Sequence, residues 1–271
     1  MIDLDVLSQA TATILTEPFA WCHVEVGSVV LADHTAYGGS VGGQAQVDAF
    51  AIAKYPITNA QYQRFIAAPN GYKKGVWWGF SPQGAQYWQD RSRPNASAFA
   101  GADLPRTRVS WFDSMAFCAW LSAALHPYVD LDGKRPFTLE DVTTWCVCLP
   151  TEPEWQWAAA GDTGWAYPWG DVLDETRANY NNHAGQPTAV TAYASSPSPF
   201  GVVDMMGNVW EWCLTQWGND SRDVNGYGYR ANRGGAWNVG NPDHLQVSDR
   251  ACHPPRGRLN DAGFRCVLRY L

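Results

Sequence analysis

Seven cysteines and six histidines carry most of the redox, nucleophilic and metal-binding chemistry open to this chain. The cysteines, Cys22, Cys118, Cys146, Cys148, Cys213, Cys252 and Cys266, are odd in number and scattered. Cys146-Val147-Cys148 is too close to be a CxxC redox or zinc half-site, and no second pair or suitably spaced histidine completes a metal set. That usage predicts reduced, mostly buried thiols in a cytoplasmic protein. His23, His34, His126, His183, His244 and His253 show no paired spacing, and a lone histidine is more often a core or surface residue than a ligand. No GxSxG elbow presents a serine nucleophile.

The elements that would position such groups are short. In 271 residues, 46% are apolar and 17% charged, with 15 Trp, 25 Gly and 17 Pro. Large rings and turn residues at that density predict a core with irregular loops pinned on it. The net charge of −7 and the lack of a basic run exclude a phosphate-backbone footprint, so nucleic acid is not an expected partner. No apolar run reaches the ~18 residues of a membrane span, and the acidic start Met1-Ile2-Asp3-Leu4-Asp5 is unlike a signal peptide.

Periodicity and caps place the helices. Residues 3–15 read as a helix behind an Asp3 cap, followed by strand-like runs at 19–26 and 29–31 and a flexible Gly-rich loop from Tyr37 to Gly43. Thr58 with Gln61 is a capping box ahead of Tyr62, Phe65 and Ile66. Ser110 with Asp113 opens a second helix with a stripe of Ala116, Phe117, Trp120, Leu121 and Ala124. Thr151 with Glu154 opens a third, carrying Trp155, Ala158 and Ala159 and ending at Gly161. Beyond Gly161 helical periodicity disappears, and Gly263–Leu268 reads as a closing strand. With no linker, low-complexity segment or internal repeat, residues 1–271 are expected to form one α+β domain poor in regular secondary structure.

Seven strings stand in order along the chain: YPITNAQYQRF (55–65), RVSWFDSMAFCAWLS (108–122), LPTEPEWQWAAAG (149–161), YPWGD (167–171), SPFGVVDMMGNVWEWC (198–213), RGGAW (233–237) and GFRC (263–266). Together they resemble the formylglycine-generating enzyme, or sulfatase-modifying factor, superfamily over residues 19–271. The resemblance implies a variant of the C-type lectin fold, with Trp120, Trp155, Trp169, Trp210 and Trp212 buried and Gly207, Gly234 and Gly235 in close or unusual backbone settings. It also implies where the oxidase cysteines would stand, four and nine residues after Gly235. Those positions are Val239 and His244, and neither side chain forms a thiolate, so the oxidase chemistry is not expected. Cys252 lies beyond the expected position, and Cys266 falls in the closing strand. The related iron-dependent sulfoxide synthases hold iron with three histidines, which this pattern does not offer.

Between RGG and GFRC runs NVGNPDHLQVSDRACHPPRGRLNDA (238–262), without helix or strand period and bounded by rigid motifs. Loops on a stiff scaffold are where recognition usually resides. This arrangement resembles the variable proteins of diversity-generating retroelements, whose C-terminal stretch is rewritten at adenines; Arg250, Pro255, Arg258 and Gly263 match their spacing. Adenine mutation of AAC or AAT codons never yields Lys, Glu, Met, Trp or Gln, and of these only Gln246 occurs in 238–262. The resemblance implies a non-enzymatic binding protein whose diversified contacts are Asn238, Val239, Gly240, His244, Asp249, Ala251, Cys252, His253, Arg256, Gly257 and Leu259, with Gln246 fixed. The partner would be a protein or other macromolecule, and no cofactor is required.

The alternative is a family member that kept the fold and lost the cysteines, acting as an accessory or through another chemistry. The resemblance further suggests a structural Ca2+ near GNVWEW, through Asn208 and Glu211; equally, Asn208 holds a turn and Glu211 pairs with an arginine. Arg233, Arg250 and Arg265 are expected to make internal hydrogen bonds. Trp77, Trp78 and Trp88 read as core, or as the lining of a groove for an aromatic or glycan ligand.

Overall fold

The computed structural model describes residues 4–129 and 145–270. Its elements, in chain order, are α1 (Leu4–Leu15), β1 (Trp21–Val24), β2 (Gly27–Leu31), β3 (Gly43–Val47), β4 (Phe50–Ala53), α2 (Asn59–Ala67), α3 (Pro82–Asp90), α4 (Trp111–Val129), β5 (Trp145–Cys148), α5 (Glu152–Ala160), β6 (Trp210–Gln216), β7 (Arg230–Arg233), β8 (Ala251–His253), β9 (Ala262–Gly263) and β10 (Val267–Tyr270). One sheet runs β1-β4-β10-β5, a second is the β2-β3 hairpin, and a third runs β8-β7-β6-β9 with β6 and β9 parallel.

The strand period of two divides the core. Trp21, Ala51, Ala53, Val147 and Leu268 face the helices α1, α2 and α4 on one side of the first sheet. Val24, Phe50, Ile52, Cys148 and Val267 face α5 and the hairpin on the other. Because β10 lies between β4 and β5, this sheet closes only when the C-terminal strand docks. Everything from β6 to β9 is thereby held between two fixed ends.

The helix starts follow their sequence signals. Thr58 and Thr151 each complete a capping box, with Gln61 and Glu154 reaching back to the cap amide. The Ser110 hydroxyl donates to Asp113 at 2.9 Å and accepts from the Asp113 amide at 3.1 Å. Asp3, read as the cap of α1, lies outside the described residues. The helix α3 is absent from the sequence reading; its signals are Ser81, which accepts from the Gly84 amide, and Pro82 in the first turn.

Burial follows expectation with two exceptions. Trp120, Trp155, Trp210 and Trp212 are buried, but Trp169 is half-buried, stacked on Tyr167 with its indole donating to the Val172 carbonyl. In α4 Ala124 is half-buried while Leu125 is fully buried. Trp77 and Trp78 are core, and Trp88 packs against them. Gly207 has φ +72, and a Cβ there would come within 2.3 Å of the Asn179 carbonyl oxygen, so only glycine fits.

The capping boxes give a direct check on this assembly. Thr58→Ala and Thr151→Ala are each expected to lower the unfolding free energy in urea by about 1 kcal/mol, the usual value of a lost side-chain cap. An unchanged urea midpoint in both would show that the caps do not position these helices.

Candidate ligand-binding surface

The segment 238–262 is clamped from below. Arg233, fully buried, donates to the carbonyls of Val247 at 2.9 Å, Ser248 at 3.3 Å and Asp249 at 2.5 Å, and to the Gln156 side chain. Arg250 makes a two-pronged pair with Glu152 at 2.9 and 2.6 Å and reaches Asp220 at 2.7 Å and Ser40 at 3.0 Å. Arg258 spans Asp113 at 3.0 and 3.2 Å and donates to the Tyr87 hydroxyl at 2.8 Å. Main-chain bonds add to this: the Val239, Pro255 and Leu259 carbonyls accept from the amides of Asn181, Trp111 and Arg108. Charge-assisted bonds of this kind are the strong ones, so the backbone is fixed although, β8 and a short 3-10 turn at Pro242–Leu245 apart, most of it is irregular.

Side chains sort cleanly on that backbone. Leu245, Val247, Arg250 and Pro255 point inward and are buried. Of the expected contact residues, Asn238, Gly240 and His244 are exposed, and Val239, Asp249, Ala251, Cys252, His253, Arg256, Gly257 and Leu259 are half-buried. Gln246, expected to be fixed, is half-buried beside Asp243.

The positions do not all converge. Val239, Ala251 and Leu259 pack with Trp237 over Trp210, Ala236 and Ala262, and Asn238 donates to Asp261 at 3.2 Å nearby. His253 lies on the same face of β8 as Ala251, edge-on to Trp212, with Nδ1 3.1 Å from Asn232 Oδ1. His244 and Asp249 form a separate pair at 3.4 Å. Arg256 leans on Tyr227 and reaches Asp90 at 3.1 Å. Cys252 departs from the expected set: strand alternation turns it away from Ala251 and His253, and it stands opposite Ala231, which is buried in the other core. Gly257 is also restricted, because an added Cβ would sit 3.0 Å from the Pro254 carbonyl oxygen.

Three contributors escaped the sequence reading. The indole N–H of Trp237, inside the RGGAW motif, and the side-chain amide N–H of Asn232 have no partner among the described residues. Tyr227, 46% exposed, was signalled by an aromatic residue set between glycines at 226–228. A cleft of about 250 Å³ lies elsewhere, between the β2-β3 hairpin, Thr151, Thr215 and Arg222, and none of the expected contact residues lines it.

The side chains suggested for calcium already have partners within the protein. Glu211 is 1% exposed, and both carboxylate oxygens accept from Arg265, at 2.6 and 2.7 Å, with Trp155 adding a third bond at 2.8 Å. Asn208 is spent on Thr188 and Asp204 and holds a left-handed turn at φ +60. Turn and ion pair are therefore what these two residues build.

Residues 22–270 match the family model of the sulfatase-modifying factor enzyme 1-like domain. The chain belongs to that family. Its relatives include the hercynine oxygenase of Mycobacterium tuberculosis, 31% identical over 253 residues, which cover 81% of this chain and 52% of that protein. The inactive C-alpha-formylglycine-generating enzyme 2 of Bos taurus is 26% identical over 83% of this chain and 78% of its own. The sulfatase-modifying factor family thus holds an oxygenase and a protein named inactive, and this member spans about half the length of the oxygenase. Among solved structures, Treponema denticola variable protein 1 superposes with a TM-score of 0.63 at 22% identity, covering 92% of this chain and 94% of that one. PvdO from Pseudomonas aeruginosa gives 0.60 at 20%, over 93% and 94%. These likenesses establish the α+β, C-type lectin-like fold.

Burial pushes the His253 imidazole below its ordinary value, with Asp261 opposing. The folded protein then holds it neutral near pH 7, and because the unfolded chain takes up the proton first, stability is lost as pH falls from ~6.5 toward the lowered value. An NMR titration should place the His253 midpoint below that of a model histidine; a midpoint at or above it would contradict the buried environment.

Proposed function

We propose that this protein binds a macromolecular ligand, most simply another protein, through the side chains of segment 238–262, and that the segment is a diversified surface of the retroelement variable-protein type. The observation that carries this reading is the separation of roles within the segment. Arg250, Arg258 and Pro255 are locked into the frame, while the residues between them stand half or fully in solvent. Side chains so placed can change at little cost to the fold, and a pre-organised backbone spares the ligand an ordering penalty. On the spacing that the resemblance implies, Val239 and His244 stand where the oxidase cysteines would, so no oxidase step is assigned. In this reading the protein works in the cytoplasm; among the described residues no helix is long and apolar enough to cross a membrane.

The division of roles is measurable. Asn238→Ala, His244→Ala and Arg256→Ala are expected to shift the unfolding free energy by less than about 0.5 kcal/mol. Arg258→Ala, which leaves Asp113 buried and unpaired, should cost about 3–5 kcal/mol. Equal costs in both groups would remove the basis for a tolerant surface. The coding DNA offers a second test: a nearby repeat of the segment differing at adenines, beside a reverse-transcriptase gene, is expected, and its absence would count against diversification.

The 31% identity to a hercynine oxygenase favours a second reading, in which the chain is an accessory or catalyses by another chemistry. Incubation with a cysteine-containing sulfatase-type peptide separates one branch of it. No formylglycine is expected, and its appearance would overturn the non-enzymatic reading.

A further inference from the structure

The first sheet places two thiols where the sequence spacing alone suggested nothing. Cys146 and Cys148 are alternate residues of β5, so both side chains leave the same face, and their sulfurs stand 3.9 Å apart. Cys148 is buried, Cys146 is half-exposed, and β5 is the edge strand of its sheet. Arg269 is the register partner of Cys146 on β10. Its guanidinium pairs with Glu154 at 2.7 Å and bonds the Leu149 carbonyl at 3.0 Å, yet its buried Nε–H has no partner among the described residues. Arg269 thus sets a cation with a spare donor beside the two sulfurs.

We propose that Cys146 and Cys148 form a two-sulfur site that captures one thiophilic centre, a soft metal ion or trivalent arsenic. The geometry separates this from a disulfide. Alternate residues of a strand lie ~6.4–6.8 Å apart, at the upper end of the Cα spacing a disulfide tolerates, and a disulfide also needs Cβ atoms within ~4.5 Å. A central atom with bonds of ~2.3 Å at a tetrahedral angle instead holds its two sulfurs ~3.8 Å apart, close to the separation already present. The other close pair, Cys118 and Cys266 at 3.6 Å, is fully buried between α4 and the sheet and offers no entry.

Capture of an arsenic(III) oxide needs no oxidant. Two S–H bonds break, two As–S bonds form, and the oxide oxygen leaves as water carrying both protons. A divalent soft metal enters as the cation and releases two protons to solvent.

The test treats the full chain with one equivalent of phenylarsine oxide and, in a separate arm, with Cd2+. Intact mass spectrometry is expected to show one phenylarsine oxide added with loss of one water, and thiol counting to show two of the seven thiols protected. Capture should fall at least tenfold in Cys146→Ser and in Cys148→Ser and stay unchanged in Cys118→Ser, with thermal melts confirming that each variant folds. Thiolate–metal absorption with Cd2+ would assign the site to metals as well; capture of arsenic alone would assign it to trivalent main-group centres. Failure of both probes would overturn the proposal, as would capture that survives both serine variants at β5 and is lost in Cys118→Ser.

Discussion

Arg265 and Glu211 form the interaction on which the fold turns. The guanidinium makes six hydrogen bonds: two to Glu211 and the others to the carbonyls of Ala53, Lys54, Val203 and Asp204. It thereby ties the last turn before β10 to the end of β4, to the loop entering β6, and to β6 itself. Glu211 also accepts from Trp155 of α5. Removing one partner would bury an unpaired charge, so the GFRC and GNVWEW motifs behave as one unit although they are far apart in sequence.

The same device recurs with other partners. Glu152 joins Arg233 and Arg250, Asp113 joins Arg258, and Glu154 joins Arg269. Each arginine lies in the final third of the chain, and each carboxylate starts a helix of the preceding part. A polypeptide with long irregular stretches obtains order this way: Arg233 and Arg265 each satisfy several carbonyls, and Arg250 and Arg269 each bond one more. Aromatic rings fill the space between. Phe65, for example, lies within 6 Å of the rings of Tyr62, Tyr72, Trp78, Phe117 and Trp120.

Such a frame fixes the backbone of its outer segment. Between the clamped arginines most side chains of 238–262 stand half or fully in solvent. The backbone beneath them keeps its shape through Arg233 and the amide bonds from 108, 111 and 181. Rigidity below and freedom above have one cause: the polar groups of this loop are satisfied by residues that precede it in the chain.

Helix starts were legible in the sequence because a cap is a local event: Thr58 with Gln61 and Thr151 with Glu154 need only each other. The family and its fold were legible from ordered motifs, and the inward arginines from their place in those motifs. Three-dimensional packing alone decided the rest. Cys252 and His253 are neighbours in the chain, yet strand alternation sends them to opposite faces. Asn208 and Glu211 look like metal donors until Thr188 and Arg265 arrive from elsewhere to occupy them. Cys146 and Cys148 became a pair because β5 is extended and docks beside Arg269. The sequence determined which residues could interact; which partners each one met depended on contacts between residues distant in the chain, and no local rule encodes those.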